Sequence, residues 1–298
     1  MERTKLKQTA DAILTADWHL REDPPICRTD IDFLNTQIKK MQFIRNLQAK
    51  HNCIVIHAGD LFHHWKPSPF LLTQAFRWLP EEFYTVYGNH DLPQHNKALA
   101  EKTGLNTLIS AGRIKQLKGA DWGVTLNDDL TQYMFEIGGR KILVWHILTW
   151  KDNTPWPGCQ DPIAKELLKK LPQFDLIVTG HLHTSFVETL QGRVLVNPGP
   201  ITRQTADQEF FEPKVFLWYA KYNSVEAVSI PIKKGVVTRE HIENSEERDS
   251  RIRAFVERLN SEWEVGLSFE ANLERFRKEN NVRSSVMKIV LAAIDKEM

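Results

Sequence analysis

No stretch of this chain approaches the roughly 18 consecutive apolar residues that a membrane-spanning helix needs. Its start, Met1 to Thr9, has no apolar core of the kind that marks a secretory leader. The expectation is a cytoplasmic protein. Cysteine is scarce: Cys27, Cys53 and Cys159 are odd in number, far apart and in no C-x-x-C arrangement, which argues against a disulfide framework and a thiolate zinc site. Charge of one sign is not in excess either. Lys and Arg total 39 against 38 Asp and Glu, a net charge of +1, so the chain lacks the general basic field that holds a protein to nucleic acid non-specifically. A basic groove confined to one face is compatible with that balance. Repeats, low-complexity tracts and Gly/Ser-rich linkers are missing as well, so no sharp domain boundary is marked.

In bulk the chain is ordinary: 298 residues, 42% hydrophobic and 26% charged, enough for one large domain with a small appendage. Seven short apolar runs rich in β-branched and aromatic residues read as buried strands: Ala12 to Ala16, Ile54 to Ala58, Phe83 to Tyr87, Ile142 to Trp145, Leu176 to Thr179, Val194 to Val196 and Val215 to Tyr219. Between them lie helical patterns. In Ile31 to Gln48, Phe33, Leu34, Ile38, Met41, Ile44 and Leu47 recur at helical spacing, and Phe70 to Leu79 follows Pro67 and Pro69. Strand alternating with helix predicts an α/β fold of layered sheet flanked by helices. From about Lys233 the sequence becomes charged and helix-favouring, so we expect a main domain over 1–233 and a helical capping or partner-binding region over 234–298.

Five of the seven strands are followed at once by polar residues that bind metals: Asp17-Trp18-His19, Gly59-Asp60, Gly88-Asn89-His90-Asp91, His146 and Gly180-His181-Leu182-His183. In an open α/β sheet, loops beyond the carboxyl ends of the strands converge, so residues distant in sequence meet there. Any one of these fragments alone is more often an ordinary turn or a hydrogen-bonded structural histidine. All five in order point to a metal centre. Imidazole with carboxylate suits first-row divalent ions, and the amide oxygen of Asn89 fits the same set. A bridging carboxylate such as Asp60 would hold two ions about 3.5–4 Å apart, the arrangement that hydrolyses phosphate esters. The i, i+2 spacing of Asp17/His19 and His181/His183 predicts extended backbone that puts both ligands on one face and turns Trp18 and Leu182 into the packing. Gly59, Gly88 and Gly180 each precede a ligand where a missing Cβ permits close approach.

The ordered motifs D-x-H, G-D, G-N-H-D, H and G-H-x-H, spanning about Asp11 to Pro200, resemble those of the calcineurin-like metallophosphoesterases. Three stretches are similar to the SbcD-type DNA repair exonucleases: Thr15-Ala16-Asp17-Trp18-His19-Leu20, Gly59-Asp60-Leu61-Phe62-His63 running on to Pro67-Ser68, and Asn197-Pro198-Gly199-Pro200. Protein Ser/Thr phosphatases of that superfamily continue G-D-x-x-D-R-G, and this chain departs from them at His63-His64-Trp65.

The resemblance implies one metal held by Asp17, His19, Asp60 and His183 and a second by Asp60, Asn89, His146 and His181. It implies manganese first, with magnesium, iron(II) or zinc as alternatives. His90 is implied as the catalytic histidine, with Asp91 orienting it or serving as a turn acceptor. His63, or His64 beside it, would place the nucleic acid. The implied partners are a DNA substrate, a coiled-coil ATPase subunit of the SbcC kind and a second copy of the chain; no membrane is implied. Trp65, Trp150 and Trp156 are candidates for stacking on bases against a default of packing, and Lys66, Arg140, Lys151 and Arg203 for backbone phosphate contacts against a default of solvated charge. The reading is a two-metal nuclease, exonuclease or endonuclease, acting in DNA repair, recombination or replication. A small-molecule phosphodiesterase or nucleotide phosphatase is the alternative and requires a closed pocket in place of a groove.

Overall fold

The computed structural model describes residues 9–152, 156–261 and 269–294. In chain order the elements are β1 (Ala12–Thr15), α1 (Phe33–His51), β2 (Ile54–His57), α2 (Pro69–Trp78), β3 (Phe83–Thr85), α3 (Gly104–Ser110), β4 (Lys115–Gln116), β5 (Phe135–Ile137) and β6 (Arg140–His146). They continue with α4 (Ala164–Lys170), β7 (Leu176–Gly180), β8 (Phe186–Leu190), β9 (Arg193–Asn197), β10 (Lys214–Tyr219), β11 (Ser224–Ser229), α5 (Glu240–Ser261), α6 (Phe269–Glu279) and α7 (Ser284–Ile294). The chain divides into two compact units between Thr238 and Arg239.

In the first unit a six-stranded sheet, β11-β10-β1-β2-β3-β4, faces a five-stranded one, β5-β6-β7-β9-β8. β1 to β4 are mutually parallel, as are β6, β7 and β9; the antiparallel members are β5, β8, β10 and β11. Alternation along each strand builds three apolar layers. Leu14 and Ile56 from one sheet and Val144 and Val178 from the other fill the space between the sheets. Ile13, Val55 and Phe83 point outward onto Met41 and Ile44 of α1 and Leu71 and Ala75 of α2. Leu143, Ile177 and Leu195 do the same on the opposite side, against Leu167 and Leu168 of α4. The expected α/β fold, with mixed sheets flanked by helices, is the one observed.

All seven expected strands form. α1 begins two residues later than periodicity suggests because Asp32 accepts the amide of Asn35 and so caps the helix, and it runs on to Asn52, which turns left-handed at φ 49°. Ser68 caps α2 ahead of Pro69, whose fixed φ suits the first helical position. The second unit is helical, with a small core of Leu273, Phe276, Met287 and Val290. Among the described residues no helix is long and apolar enough to cross a membrane.

Candidate metal centre

The carboxyl ends of β1, β2, β3, β6 and β7 come together, and short loops there carry every motif. The amide of Asp17 donates to the carbonyl of Gly59 (3.0 Å) and that of His19 to the carbonyl of Asp60 (3.0 Å), so the first two loops are laced side by side. The expectation of extended backbone through Asp17 and His19 does not hold. Both residues are left-handed, at φ 51° and 45°, as are Asp60 at 59° and His181 at 89°. Such conformations cost of order 1–3 kcal/mol each and persist where the surroundings impose them. The expected consequence stands by this other route: Trp18 is buried, donates its Nε1 to Thr15 and packs edge-on against Phe83. A Cβ on Gly88 would strike the carboxylate and amide of Asp60, and one on Gly180 the carbonyl of Ala58. Asn197, at the end of β9, donates its amide to the carbonyls of Leu182 (2.7 Å) and Thr184 (2.6 Å) and thereby shapes the loop of His181 and His183.

The expected ligands form two candidate clusters, Asp17 with His19 and His183, and Asp60 with His146 and His181; a third group, His63 and His90 with His19, shares His19 with the first. Asp60 Oδ2 lies 3.6 Å from His19 Nε2 and 3.5 Å from His146 Nε2, between the two groups. Asn89 Oδ1 faces His146 Nε2 at 3.1 Å and His181 Nδ1 at 2.9 Å. The donor set fits a cation. His146 Nδ1 lies 2.7 Å from the carbonyl of Ala58 and so carries the ring's proton; in the neutral ring Nε2 is then a lone pair directed at two further acceptors, Asp60 Oδ2 and Asn89 Oδ1. In the other cluster Asp17 Oδ2 and His19 Nδ1 are buried with no hydrogen-bond partner, and His19 Nε2 faces His183 Nε2 at 3.0 Å. Acceptors that converge this way are reconciled by a shared proton or by a metal ion.

Protons and metal therefore compete. Burial pushes the Asp17 carboxyl up to about 8. Burial also opposes charge on His146, but the Asp60 carboxylate outweighs it and raises the ring to about 9. Both folded values exceed the ordinary ones, so in metal-stripped protein the stability these groups contribute is full at low pH and is lost as pH rises through about 8 and 9. Bound metal replaces those protons. Manganese should therefore raise the melting temperature of EDTA-treated protein more at about pH 8.5 than at about pH 6, and its binding near neutrality should release protons. Scanning calorimetry with and without metal at the two pH values checks the first. An equal gain at both would show that Asp17 and His146 hold no displaceable protons.

His90 sits edge-on to His19 with ring centroids 4.6 Å apart. Its amide donates to Asp60 Oδ1 (2.8 Å), and its Nδ1 lies 2.8 Å from the carbonyl of His63, leaving Nε2 as the free ring nitrogen. Asp91 was expected to orient His90 or to serve as a turn acceptor, and its hydrogen bonds are of the second kind. Fully buried, Asp91 accepts the amides of Asp60, Leu61, Phe62 and Gly88, so it clamps the second and third loops together and does not touch the His90 ring. The choice between His63 and His64 is also decided. His63 turns inward and stacks on His90 at 5.4 Å, while exposed His64 lies against Trp65.

Two residues here escaped the sequence reading. Arg21 Nη1 lies 3.1 Å from His63 Nε2; burial, then Arg21 and His90, bring the His63 ring down to about 4. With Nε2 facing a guanidinium, the proton of neutral His63 sits on Nδ1, which is buried and has no partner. Trp122 lies over His181 with ring centroids 4.9 Å apart and 6.0 Å from His146. Beside it opens a cavity of about 560 Å³ lined by His95, Asn96, Lys97 and Tyr133. The motif loops gave no signal for either residue. Of the tryptophans singled out instead, Trp150 is half-buried and Trp156 exposed, and neither is in ring contact with the clusters among the described residues. Arg140 is engaged with Asp175 and the Ala220 carbonyl at the start of β6, away from the site, and Arg203 is buried on carbonyl oxygens. Lys66 and Lys151 are exposed.

Residues 13–215 match the family described as the calcineurin-like phosphoesterase superfamily domain. A "probable metallophosphoesterase" of Methanocaldococcus jannaschii is 26% identical over 155 residues, 52% of this chain and 76% of that protein. Among solved structures, a novel archaeal phosphodiesterase is 13% identical, covering 73% of this chain and 98% of its own, with a TM-score of 0.41. A metallophosphoesterase from Sphaerobacter thermophilus is 12% identical, covering 76% and 89%, with a TM-score of 0.37.

Proposed function

This chain belongs to the calcineurin-like phosphoesterase superfamily and is a metal-dependent hydrolase, and we propose that its substrate is DNA, cut at phosphodiester bonds with two manganese ions in place. The observation that carries this reading is the surround of the two clusters: Arg21 with His63 on one side and the face of Trp122 on the other. A phosphate contact paired with an aromatic platform suits a polynucleotide. The similarity of Asp17-Trp18-His19-Leu20 and Gly59-Asp60-Leu61-Phe62-His63 to the SbcD-type exonucleases supports the same substrate. That similarity also supports a coiled-coil ATPase partner, engaged through residues 234–298, a homodimer, and action in the cytoplasm during DNA repair.

In this proposal Asp17, His19, Asp60 and His183 hold one ion and Asp60, Asn89, His146 and His181 the other. When bound, the ions supply Lewis acidity that polarises the phosphate and acidifies water beside it. The chain's own groups do the rest. His63, kept neutral by burial and by Arg21, has its Nδ1–H left for a phosphate oxygen while Arg21 adds charge. His90, whose Nδ1–H donates to the His63 carbonyl, presents Nε2 to the substrate, and in its doubly protonated form gives the Nε2 proton to the departing oxygen. Asp91 fixes the two loops that carry Asp60 and His90. Trp122 stacks on the base next to the scissile bond.

The deciding experiment incubates manganese-loaded protein with end-labelled duplex and single-stranded DNA, and in parallel with mononucleotides and cyclic nucleotides. Cleavage of DNA supports the proposal; turnover of the small esters with intact DNA would replace it by a small-molecule phosphodiesterase. If Trp122 carries a base, Trp122→Ala should raise KM for DNA by about tenfold, within the range of about 1–3 kcal/mol for one stacked base. Its kcat on a small aryl phosphodiester and its metal content should not change. An unchanged KM for DNA would assign Trp122 to packing on His181.

A further inference from the structure

A second cavity, sharing no residue with the candidate metal ligands, opens between α1 and the chain that follows β11. Its volume is about 510 Å³, within the range of about 300–1,000 Å³ usual for small-ligand sites. Its floor is basic. Lys40, on α1, is 6% exposed, and Arg203 is 4% exposed; Arg28 lies beside them with its side chain 3% exposed. Arg28 pairs with the Asp30 carboxylate at 2.7 Å. Among the described residues neither Lys40 nor Arg203 is in ion-pair contact with a carboxylate; Lys40 Nζ donates to the carbonyl of Pro231 (3.1 Å), and the Arg203 guanidinium to those of Glu209 and Lys233. Exposed Lys39 and Lys233 add charge at the rim.

Three buried cations with a single carboxylate, Asp30, in ion-pair contact among the described residues are costly, even with Glu209 acting on Arg203 from farther off. Burial of charge without a counter-ion is among the larger penalties a fold can carry. The strain registers on Lys40, whose ammonium is pushed down to about 8 by burial and then by the Arg28 and Arg203 charges. Carbonyl oxygens satisfy some N–H groups here but neutralise no charge. Apolar side chains share the lining: half-buried Phe43, with Ile230 and Ile232.

We propose that this pocket binds a nucleotide phosphate, either of a free nucleotide or of a strand end, with Lys40 and its two arginine neighbours under the phosphate and Phe43 and Ile232 against the nucleoside. Lys40 has N–H groups beyond the one on Pro231 to give to phosphate oxygens. Charge sets the ligand class: with Asp30 in contact with Arg28 and Glu209 acting on Arg203 from farther off, the buried floor keeps an excess of positive charge, and exposed Lys39 and Lys233 add to it, which suits a phosphate better than a singly charged carboxylate. The site is independent of the nuclease reading, since it uses none of the residues placed at the metal centre.

The test is titration calorimetry on the full chain in EDTA, which silences binding through metal. The probes are AMP and a short oligonucleotide with and without a 5′ phosphate. One AMP per chain is expected, with affinity reduced by at least about tenfold in Lys40→Met, the loss expected of a charge-assisted contact, and unchanged in His183→Ala. Lys39→Ala/Lys233→Ala changes only exposed side chains and should weaken AMP severalfold even if Lys40→Met fails to fold. Oligonucleotide binding that depends on the 5′ phosphate assigns a strand end; AMP binding alone assigns a free nucleotide. No saturable binding of either probe, unchanged affinity in both lysine variants, or loss in His183→Ala would overturn the proposal.

Discussion

Asp60→Asn is expected to lower phosphodiester hydrolysis by at least about 10³-fold, equivalent to the several kcal/mol that bound metal supplies to a phosphoryl transition state. Asp60 stands between the clusters, with Oδ2 within 3.6 Å of a histidine nitrogen of each and Oδ1 accepting the amide of His90. Asparagine has one acceptor where the site uses two. If its NH2 faces the histidines, it puts donors where a cation belongs. Facing His90, it opposes an N–H with an N–H. The fold should survive, because asparagine tolerates the left-handed backbone at this position, φ 59°, better than most residues. Metal analysis should find fewer than two ions per chain. Two retained ions with activity within tenfold of the wild type would remove Asp60 from the bridging position.

His90→Asn should separate chemistry from metal binding. The main contact of His90 with the clusters is made by its backbone, whose amide donates to Asp60 Oδ1, and the substitution preserves it. The loss is the imidazole that the His63 carbonyl orients, so kcat should fall by about 10²–10⁴-fold, the usual worth of a positioned proton donor. KM and metal content should hold. The pH profile of kcat should also lose a limb, which a purely structural role would not cause. Loss of metal in parallel with kcat would instead make His90 a ligand of the group it forms with His19 and His63.

What the sequence left open or missed among the side chains of the centre has one cause. Asp91 follows His90 directly, which left an orienting role open beside that of a turn acceptor, and only the folded loops show four amides from two loops on its carboxylate. Arg21 and Trp122 belong to no motif, and only the packing of loops brings one to His63 and the other to His181. The fold shows the same division. The interior strands β1, β2, β3, β6, β7, β9 and β10 were all found from their apolar runs. The strands missed, β4, β5, β8 and β11, are the four edges of the two sheets. β11 reads Ser-Val-Glu-Ala-Val-Ser and is mostly exposed, so it lacks the continuous apolar run that marks a strand covered on both faces.

The sequence by itself determined which segments are buried strands, that an α/β fold of layered sheet results, and which residue types wait at the strand ends. Those properties are local: burial is written in apolar runs, and ligand chemistry in the side chains that follow them. Tertiary structure alone decided which nitrogen of His146 faces Asp60, that His63 turns inward and His64 outward, and that three cations from α1 and two distant loops share one pocket. These depend on hydrogen bonds and desolvation between groups far apart in the chain, and no local pattern encodes the geometry of such meetings.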